Sequence, residues 1–150
     1  MIVTMVAMAK DATMASLIVA MSEHRQEVLD HLVRVRSQFR PDIVIGPSLH
    51  DYHQDHQVVA NEMVRAFKAS ASIISYELPW NNVRFDDQLF VTLTEEHMRK
   101  KWEALQIYRS QLMKDRTYFE EEFVYGTARM HGVQCNERYA EAFEVIRWRI

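Results

Sequence analysis

Three histidines and two aspartates lie within one short segment, HDYHQDH at positions 50–56. The whole chain of 150 residues has only seven histidines, so this segment is strongly enriched in imidazole. Neutral imidazole is a common metal ligand, and it also transfers protons near neutral pH. Carboxylates commonly orient a ligating imidazole through its other ring nitrogen. The segment, called the histidine loop below, therefore predicts a site that binds a metal or moves a proton.

Three interpretations of the histidine loop follow from its residue types. In the first, His53 and His56 supply one metal ligand and one acid–base group, and Asp55 orients a ring. In the second, His50, His53 and His56 together supply the three protein ligands of a catalytic zinc site. In the third, Asp and His only cap the start of a helix. The density of these residues after a buried strand favours a functional site.

The elements on either side place the loop at the carboxyl end of a strand. Residues 42–46, DIVIG, form a compact β-branched run that is typical of a buried parallel strand. Val59, Met63 and Phe67 share one face at helical spacing and predict a helix over 56–68. Open α/β sheets bind ligands beyond the carboxyl ends of their strands, and a helix N-terminus favours negative charge. Position therefore supports the same conclusion as residue type.

The rest of the chain alternates helices and strands. The predicted elements are a helix from 22 to 40, helices opened by capping boxes at Thr92-x-x-Glu95 and Thr117-x-x-Glu120, and strands at 2–8, 72–78, 88–93 and 142–148. This order predicts a single α/β domain over residues 1–150, built in layers around a mainly parallel sheet.

Composition and charge argue against several classes of function. A formal charge of −3 and a pI near 6.2 give no basic face for nucleic acid. One cysteine, Cys135, forms no internal disulfide and fits a reducing, cytoplasmic compartment. Three glycines are too few for a Gly-rich phosphate loop. The apolar runs in residues 1–21 are shorter than the ~20 residues that a membrane span requires, so no membrane segment is expected.

Four segments carry a resemblance to a known family. They are RPDIVIGPSLHDYHQDHQVVANEMVRAF (40–67), SYELPWNN (75–82), KKWEALQIYRSQ (100–111) and ARMHGVQCNERYAEAFEV (128–145). In this order they resemble the LmbE-like (PIG-L) zinc-dependent sugar N-deacetylases, over residues 22–148. The resemblance implies a Rossmann-like fold. It also implies a hydrolase that removes acetyl from an N-acetylglucosamine-type amide, so the expected substrate is a small amino sugar.

The resemblance also implies roles for five residues. His56 would be a zinc ligand, and zinc the cofactor. His53 would stabilise the tetrahedral intermediate and protonate the leaving amine. Asp55 would orient one of these rings. Arg129 and Tyr139 fall in the family block near the substrate and would bind it.

One signature of the family is missing from the chain. The sequence Ala-His-Pro-Asp-Asp-Glu, which follows the first strand in the family and supplies two more metal ligands and the carboxylate base, does not occur before residue 40. The chain is therefore expected to be the family domain truncated at its N-terminus, with zinc bound weakly or not at all. Either a second copy or a partner chain completes the site, or the chain is a non-catalytic remnant or subunit.

Overall fold

The computed structural model of the chain describes residues 2–4, 21–108 and 116–150. The strand predicted over 2–8 is present in its first part, and the remainder of that prediction lies outside the described residues.

Five strands and four α-helices occur in the described residues. The strands are β1 (Ile2–Thr4), β2 (Ile43–Pro47), β3 (Ser72–Tyr76), β4 (Leu89–Leu93) and β5 (Tyr139–Arg147). The helices are α1 (Arg25–Phe39), α2 (Gln54–Phe67), α3 (Glu95–Leu105) and α4 (Glu121–Gln134), with a 3₁₀ turn at Thr117–Phe119. The predicted α/β class is confirmed. None of these described helices is long and apolar enough to cross a membrane.

The five strands form one mixed sheet in the order β1-β2-β3-β5-β4. Strands β1 and β3 both run parallel to β2. Strand β5 runs antiparallel to β3, with Phe143 opposite Tyr76. The prediction of a mainly parallel sheet is therefore wrong. The alternation of helices and strands predicts which segments join the sheet, but the direction of the last strand depends on long-range pairing that no local pattern encodes.

Neither predicted capping box forms at its predicted residues. Helix α3 is capped by Thr94, whose hydroxyl accepts from the His97 backbone N–H while the His97 ring accepts from the Thr94 backbone N–H. Thr92 lies inside β4 and cannot take the cap position. Glu120 precedes α4 without a side-chain cap, because Thr117 opens a 3₁₀ turn ahead of the helix. The helices were predicted correctly, whereas their first residues were displaced.

The chain divides into two compact units, of which the first is Met1–Gln88 with Phe143–Ile150. Buried apolar side chains of α1, α2, β2 and β3 form its core: Val28, Leu32, Val44, Val58, Met63, Ala66, Phe67 and Ile73. Full burial of one large apolar side chain stabilises the fold by ~1.5–3 kcal/mol. This packing holds α1 and α2 against β2 and β3, and so fixes the carboxyl end of β2 where the histidine loop begins.

A buried carboxylate joins the two helices of the first unit. Oε1 of Glu62, on α2, accepts from Nε and Nη2 of Arg25 on α1 at 3.0 and 2.7 Å. Oε2 accepts from Nη1 of Arg65 at 2.5 Å. Glu62 is fully buried, and both arginines are about half exposed. Arginine stays charged in proteins, so both partners of Glu62 are permanent cations.

The second unit, Leu89–Ala142, has a core of its own. Buried Met98 of α3 packs with Val124 and Ala128 of α4 and with Tyr139 of β5. A Cβ on Gly132, near the end of α4, would lie 2.7 Å from the carbonyl oxygen of Arg138. The glycine therefore lets β5 enter the sheet directly after α4.

Candidate functional site

The histidine loop connects β2 to α2. Strand β2 ends at Pro47, α2 begins at Gln54, and His53 is its N-cap residue. The helix begins earlier than the predicted position 56 because the His53 ring takes a cap role that Ser, Thr, Asp or Asn usually fills. His53 and His56 consequently lie at the first turn of α2, just beyond the carboxyl end of β2, as the sequence predicted.

Asp51 is the buried carboxylate at the centre of the loop, with only 1% of the residue exposed. Its Oδ1 accepts from the backbone N–H of His53 at 2.7 Å, and its Oδ2 lies 2.8 Å from Nδ1 of His56. An ionised carboxylate can only accept hydrogen bonds, so this contact places a proton on Nδ1 of His56. In the neutral ring Nε2 then carries a free lone pair, the form in which imidazole binds a metal.

The His53 ring is held in the opposite tautomer. Its Nδ1 accepts from the backbone N–H of Asp55 at 3.3 Å, so the neutral ring carries its proton on Nε2. Oδ2 of Asp55 lies 3.8 Å from Nδ1 of His53, beyond hydrogen-bond distance but close enough to stabilise a positive ring. The Asp55 carboxylate therefore lies beside His53, whereas Asp51 supplies the direct contact to His56.

The two imidazoles lie against each other with complementary nitrogens. Their ring centroids are 4.6 Å apart and the planes are inclined by 28°. Nε2 of His56 has a lone pair that can bind a cation, and Nε2 of His53 carries a proton that can form a hydrogen bond. A hydrolytic site needs both properties, since one group must bind a cation and another must donate to an oxyanion or a leaving group.

A second loop, residues 78–83, supports the histidine loop through the main chain. The backbone N–H of Tyr52 donates to the carbonyl of Asn81 at 2.9 Å. The backbone N–H of Val83 donates to the carbonyl of His50 at 3.1 Å. These two bonds fix the first half of the histidine loop, so the geometry of its side chains does not rest on the helix alone.

His50 lies away from the other two imidazoles. Its Nε2 is 3.9 Å from Oε1 of Glu144, and its side chain is half exposed. In the part of the chain that the structure describes, no three His, Cys, Asp or Glu residues are grouped to hold a metal ion. The hypothesis of a local three-histidine zinc site is therefore wrong. His53 and His56 share one helical turn, whereas His50 precedes that turn and its backbone is held elsewhere.

Tyr76 is the last residue of β3, and the charge on Asp51 contributes to its raised pKa. Burial and then the negative charge of Asp51 raise the pKa of Tyr76 from 10.0 to about 12. The phenol therefore keeps its proton throughout the neutral range.

Arg129 and Tyr139, the predicted substrate-binding residues, lie together in the second unit. The Tyr139 ring meets Tyr125 edge to face at 5.8 Å, and the Arg138 guanidinium lies 5.1 Å above its centroid. Nη1 of Arg129 makes a long bond to the Arg138 carbonyl, at 3.4 Å. With Gly126 these four residues line an open cavity of about 620 Å³. The predicted role in substrate binding stays a prediction.

The described residues match one ligand of a zinc site and not a complete site. His56 has the oriented imidazole, the carboxylate partner and the free Nε2 that a zinc ligand requires. A catalytic zinc needs three protein ligands and an open position. Since no such group occurs among residues 21–108 and 116–150, one imidazole alone would hold zinc only weakly.

Sequence reasoning gave the orienting role to Asp55 rather than Asp51, and it missed Glu144. A signal for Asp51 was present, because Asp two residues before His53 is the pattern of an Asx turn, in which the side chain accepts from that backbone N–H. Glu144 has no such local signal. It reaches the histidine loop only because β5 pairs with β3.

No family model matches the sequence, and no curated protein is significantly similar to it. Solved structures do share its fold. They include the zinc-inhibited form of teicoplanin deacetylase (TM-score 0.66, 19% identity, 83% of this chain and 52% of that chain). They also include N,N'-diacetylchitobiose deacetylase from Pyrococcus horikoshii (TM-score 0.61, 19% identity, 81% of this chain and 51% of that chain). A third is GalB, the 4-carboxy-2-hydroxymuconate hydratase from Pseudomonas putida (TM-score 0.63, 22% identity, 83% of this chain and 60% of that chain).

These likenesses show the fold alone. Two of the three structures are deacetylases, so the fold implied by the family resemblance is confirmed at that level. The third structure is a hydratase, which means that the fold does not select one reaction. The chain spans 51–60% of the length of these proteins.

Proposed function

We propose that this chain is the histidine-bearing part of a metal-dependent hydrolase that removes acetyl from an N-acetylglucosamine-type amide. The resemblance of residues 40–67 and 128–145 to the sugar N-deacetylases supports this reaction. Two proteins of similar fold, teicoplanin deacetylase and N,N'-diacetylchitobiose deacetylase, also support it.

The pair of complementary tautomers carries the proposal. His56, held at Nδ1 by buried Asp51, offers Nε2 to a zinc ion. His53, held at Nδ1 by the Asp55 backbone, offers an N–H from Nε2. A polar loop that only capped a helix would not need a buried carboxylate to fix the second ring.

The role of His53 follows from amide hydrolysis. Water oxygen adds to the carbonyl carbon, the C–N bond breaks, and the products are acetate and a free amine. His53 would donate a hydrogen bond from Nε2 to the oxyanion. As an imidazolium, protonated at Nδ1 as well and so no longer accepting from the Asp55 N–H, it would then give the Nε2 proton to the leaving nitrogen and keep the proton on Nδ1. The Asp55 carboxylate, 3.8 Å from Nδ1, would stabilise the positive ring before the transfer.

The base that takes the proton of the attacking water is not among the residues assigned here. Neither are the second and third zinc ligands. In this proposal they come from a second copy or from a partner chain that carries the His-Pro-Asp-Asp-Glu segment. The substrate is a small amino sugar, which Arg129 and Tyr139 would bind.

A non-catalytic subunit of the same family is the second candidate function. One observation favours it, since the described residues contain no complete group of metal ligands. Such a chain would keep the fold and bind a partner without hydrolysing an amide.

Release of acetate from N-acetylglucosamine tests the proposal. The purified chain would be assayed with zinc, alone and mixed with a chain that carries the His-Pro-Asp-Asp-Glu segment. We expect acetate release in the mixture, and a loss of about 10²- to 10⁴-fold in His53→Ala, the size typical of acid–base groups. His56→Ala should also abolish it, whereas His24→Ala, an exposed histidine paired with Glu27, should not.

Folded protein that releases no acetate in either condition would overturn the proposal and favour the non-catalytic subunit. Equal activity of His56→Ala and wild type would overturn it as well, because His56 is the ligand on which the proposed metal site depends.

A further inference from the structure

Glu144 is a buried carboxylate outside the histidine loop that reaches the loop from another strand. It lies on β5, 8% exposed, opposite Ser75 of β3. Its Oε2 accepts from the Ser48 hydroxyl at 3.0 Å, and Ser48 is the first residue after β2. A carboxylate on the last strand is thus bonded to Ser48, two residues before the histidine loop.

Ser48 passes this contact on to the loop backbone. Its Oγ accepts from the backbone N–H of His50 at 3.1 Å while its hydroxyl proton goes to Glu144. The backbone carbonyl of Ser48 also accepts from the N–H of Asp51, at 3.3 Å. Three of the first four residues of the turn are therefore linked to one side chain on β5. Ser48 is itself 1% exposed, so water does not compete for these bonds.

A second contact connects Glu144 to the same loop. Its Oε1 lies 3.9 Å from Nε2 of His50. Burying a carboxylate is costly unless hydrogen bonds and charges compensate for it, and an apolar residue would pack at this sheet position without that cost. One oxygen of Glu144 accepts from Ser48, just before the histidine loop, and the other lies near His50 at its first position.

We propose that Glu144 is a positioning residue for hydrolysis, acting through Ser48 to fix the turn that presents Asp51, His53 and His56. The proposal rests on the proposed function of the histidine loop. Glu144 does not touch the reacting atoms. It sets the start of the turn, and Asp51 then sets the rings, so a displaced Ser48 moves the two imidazoles relative to the substrate.

The test compares backbone amide and imidazole NMR signals of the histidine loop in four variants of the full chain. Glu144→Ala and Ser48→Ala each break the hydrogen bond, and both should shift the signals of His50, His53 and His56. Glu144→Gln keeps an oxygen that accepts from Ser48, so it should restore the wild-type positions. Ser72→Ala is the matched control, a buried serine at the far end of β3 that bonds to Arg149 instead.

The rate of acetate release by the same variants is the second measurement. In the acetate assay we expect Glu144→Ala and Ser48→Ala to lose up to about 100-fold in kcat with little change in KM, as for a misplaced catalytic group. Glu144→Gln should recover most of that loss, and Ser72→Ala should keep wild-type activity.

The two proposals fail in different ways. Unmoved loop signals in folded Glu144→Ala and Ser48→Ala would overturn the positioning role, whatever the activity. If the loop signals shift in these two variants but the wild-type chain never releases acetate, the proposed function would be overturned instead. Glu144 would then remain a residue that fixes the loop. If Glu144→Ala does not fold, Ser48→Ala and Glu144→Gln still decide the question.

Discussion

Two buried carboxylates, Glu62 within helix α2 and Asp51 just before it, have partners that differ in kind. Glu62, in the middle of the helix, is bound by Arg25 and Arg65, which are charged at every accessible pH. Asp51, just before the helix, is bound by a backbone N–H and by Nδ1 of the His56 ring. Both residues are at most 1% exposed.

The two carboxylates therefore have different roles: Glu62 contributes to the stability of the fold, and Asp51 to the chemistry of the histidine loop. Both carboxylate oxygens of Glu62 accept hydrogen bonds from arginines, and this contact joins α1 to α2. The Asp51 contact fixes one nitrogen of His56 and leaves the other available to a ligand. We therefore expect substitutions around Glu62 to change the free energy of unfolding, and substitutions of Asp51 to change activity more than stability.

The largest effect on stability should come from removing both arginines. Arg25→Met with Arg65→Met leaves Glu62 as a buried charge without a cation, which costs about 3–5 kcal/mol of unfolding free energy. Methionine keeps the apolar stem of each side chain, so packing is retained. Denaturant unfolding would measure the loss.

The control for that experiment is Glu62→Leu in the same double variant. Removing the carboxylate removes the unpaired charge, so most of the lost stability should return. A double variant as stable as wild type would show that Glu62 is not held by these arginines.

Asp51→Asn should reduce activity by about 10- to 100-fold, the range found when a partner of a ligating imidazole is lost. The amide cannot serve both as acceptor for the His53 backbone and as acceptor for the His56 ring in the wild-type manner. The acetate assay on the completed site would measure the change.

Asp55→Asn is the matched control on the same loop. Its carboxylate is 3.8 Å from the His53 ring and accepts no hydrogen bond from it, so its loss should be smaller than that of Asp51→Asn. The reverse order of the two losses would return the orienting role to Asp55.

Tyr76→Phe should change the response of stability to alkaline pH. The pKa of Tyr76 is 10.0 in the unfolded chain and about 12 in the folded one, so the unfolded chain loses its proton first. The stabilisation is fully present below pH 10 and is lost as the pH rises through 12. By pH ~11 wild type should have lost about 1 kcal/mol that Tyr76→Phe keeps. Parallel stability curves for the two proteins would contradict this.

The smallest effect should come from Gln57→Ala, which removes a bond to the Asp51 backbone. Nε2 of Gln57 donates to the Asp51 carbonyl at 2.8 Å and does not touch its carboxylate. We expect a loss of about 1 kcal/mol in unfolding free energy and near wild-type activity. A large loss of activity would mean that the loop backbone, rather than the Asp51 carboxylate, controls the rings.

Much of the fold could be predicted from local patterns. The buried β-branched run gave β2, and the apolar stripe gave α2, within two residues of their observed ends. The position of the histidine loop followed from these two elements. Periodicity succeeds here because each element buries one face against the same core.

The remaining features depend on contacts that are distant in sequence. Strand β5 begins at Tyr139 rather than at the predicted residue 142 and runs antiparallel, because its pairing with β3 sets both. Glu144 reaches Ser48 across 96 residues of sequence. The caps at His53 and Thr94 use imidazole rings, which cap patterns do not include.

The most direct test is the tautomer of His56, read from long-range ¹H–¹⁵N NMR of the imidazole rings at a pH where they are neutral. The structure predicts a proton on Nδ1 of His56 and on Nε2 of His53, with the His56 pattern lost in Asp51→Asn. A neutral His56 ring that carries its proton on Nε2 in the wild-type chain would contradict the account, because the nitrogen that does not contact Asp51 would then have no lone pair for a metal.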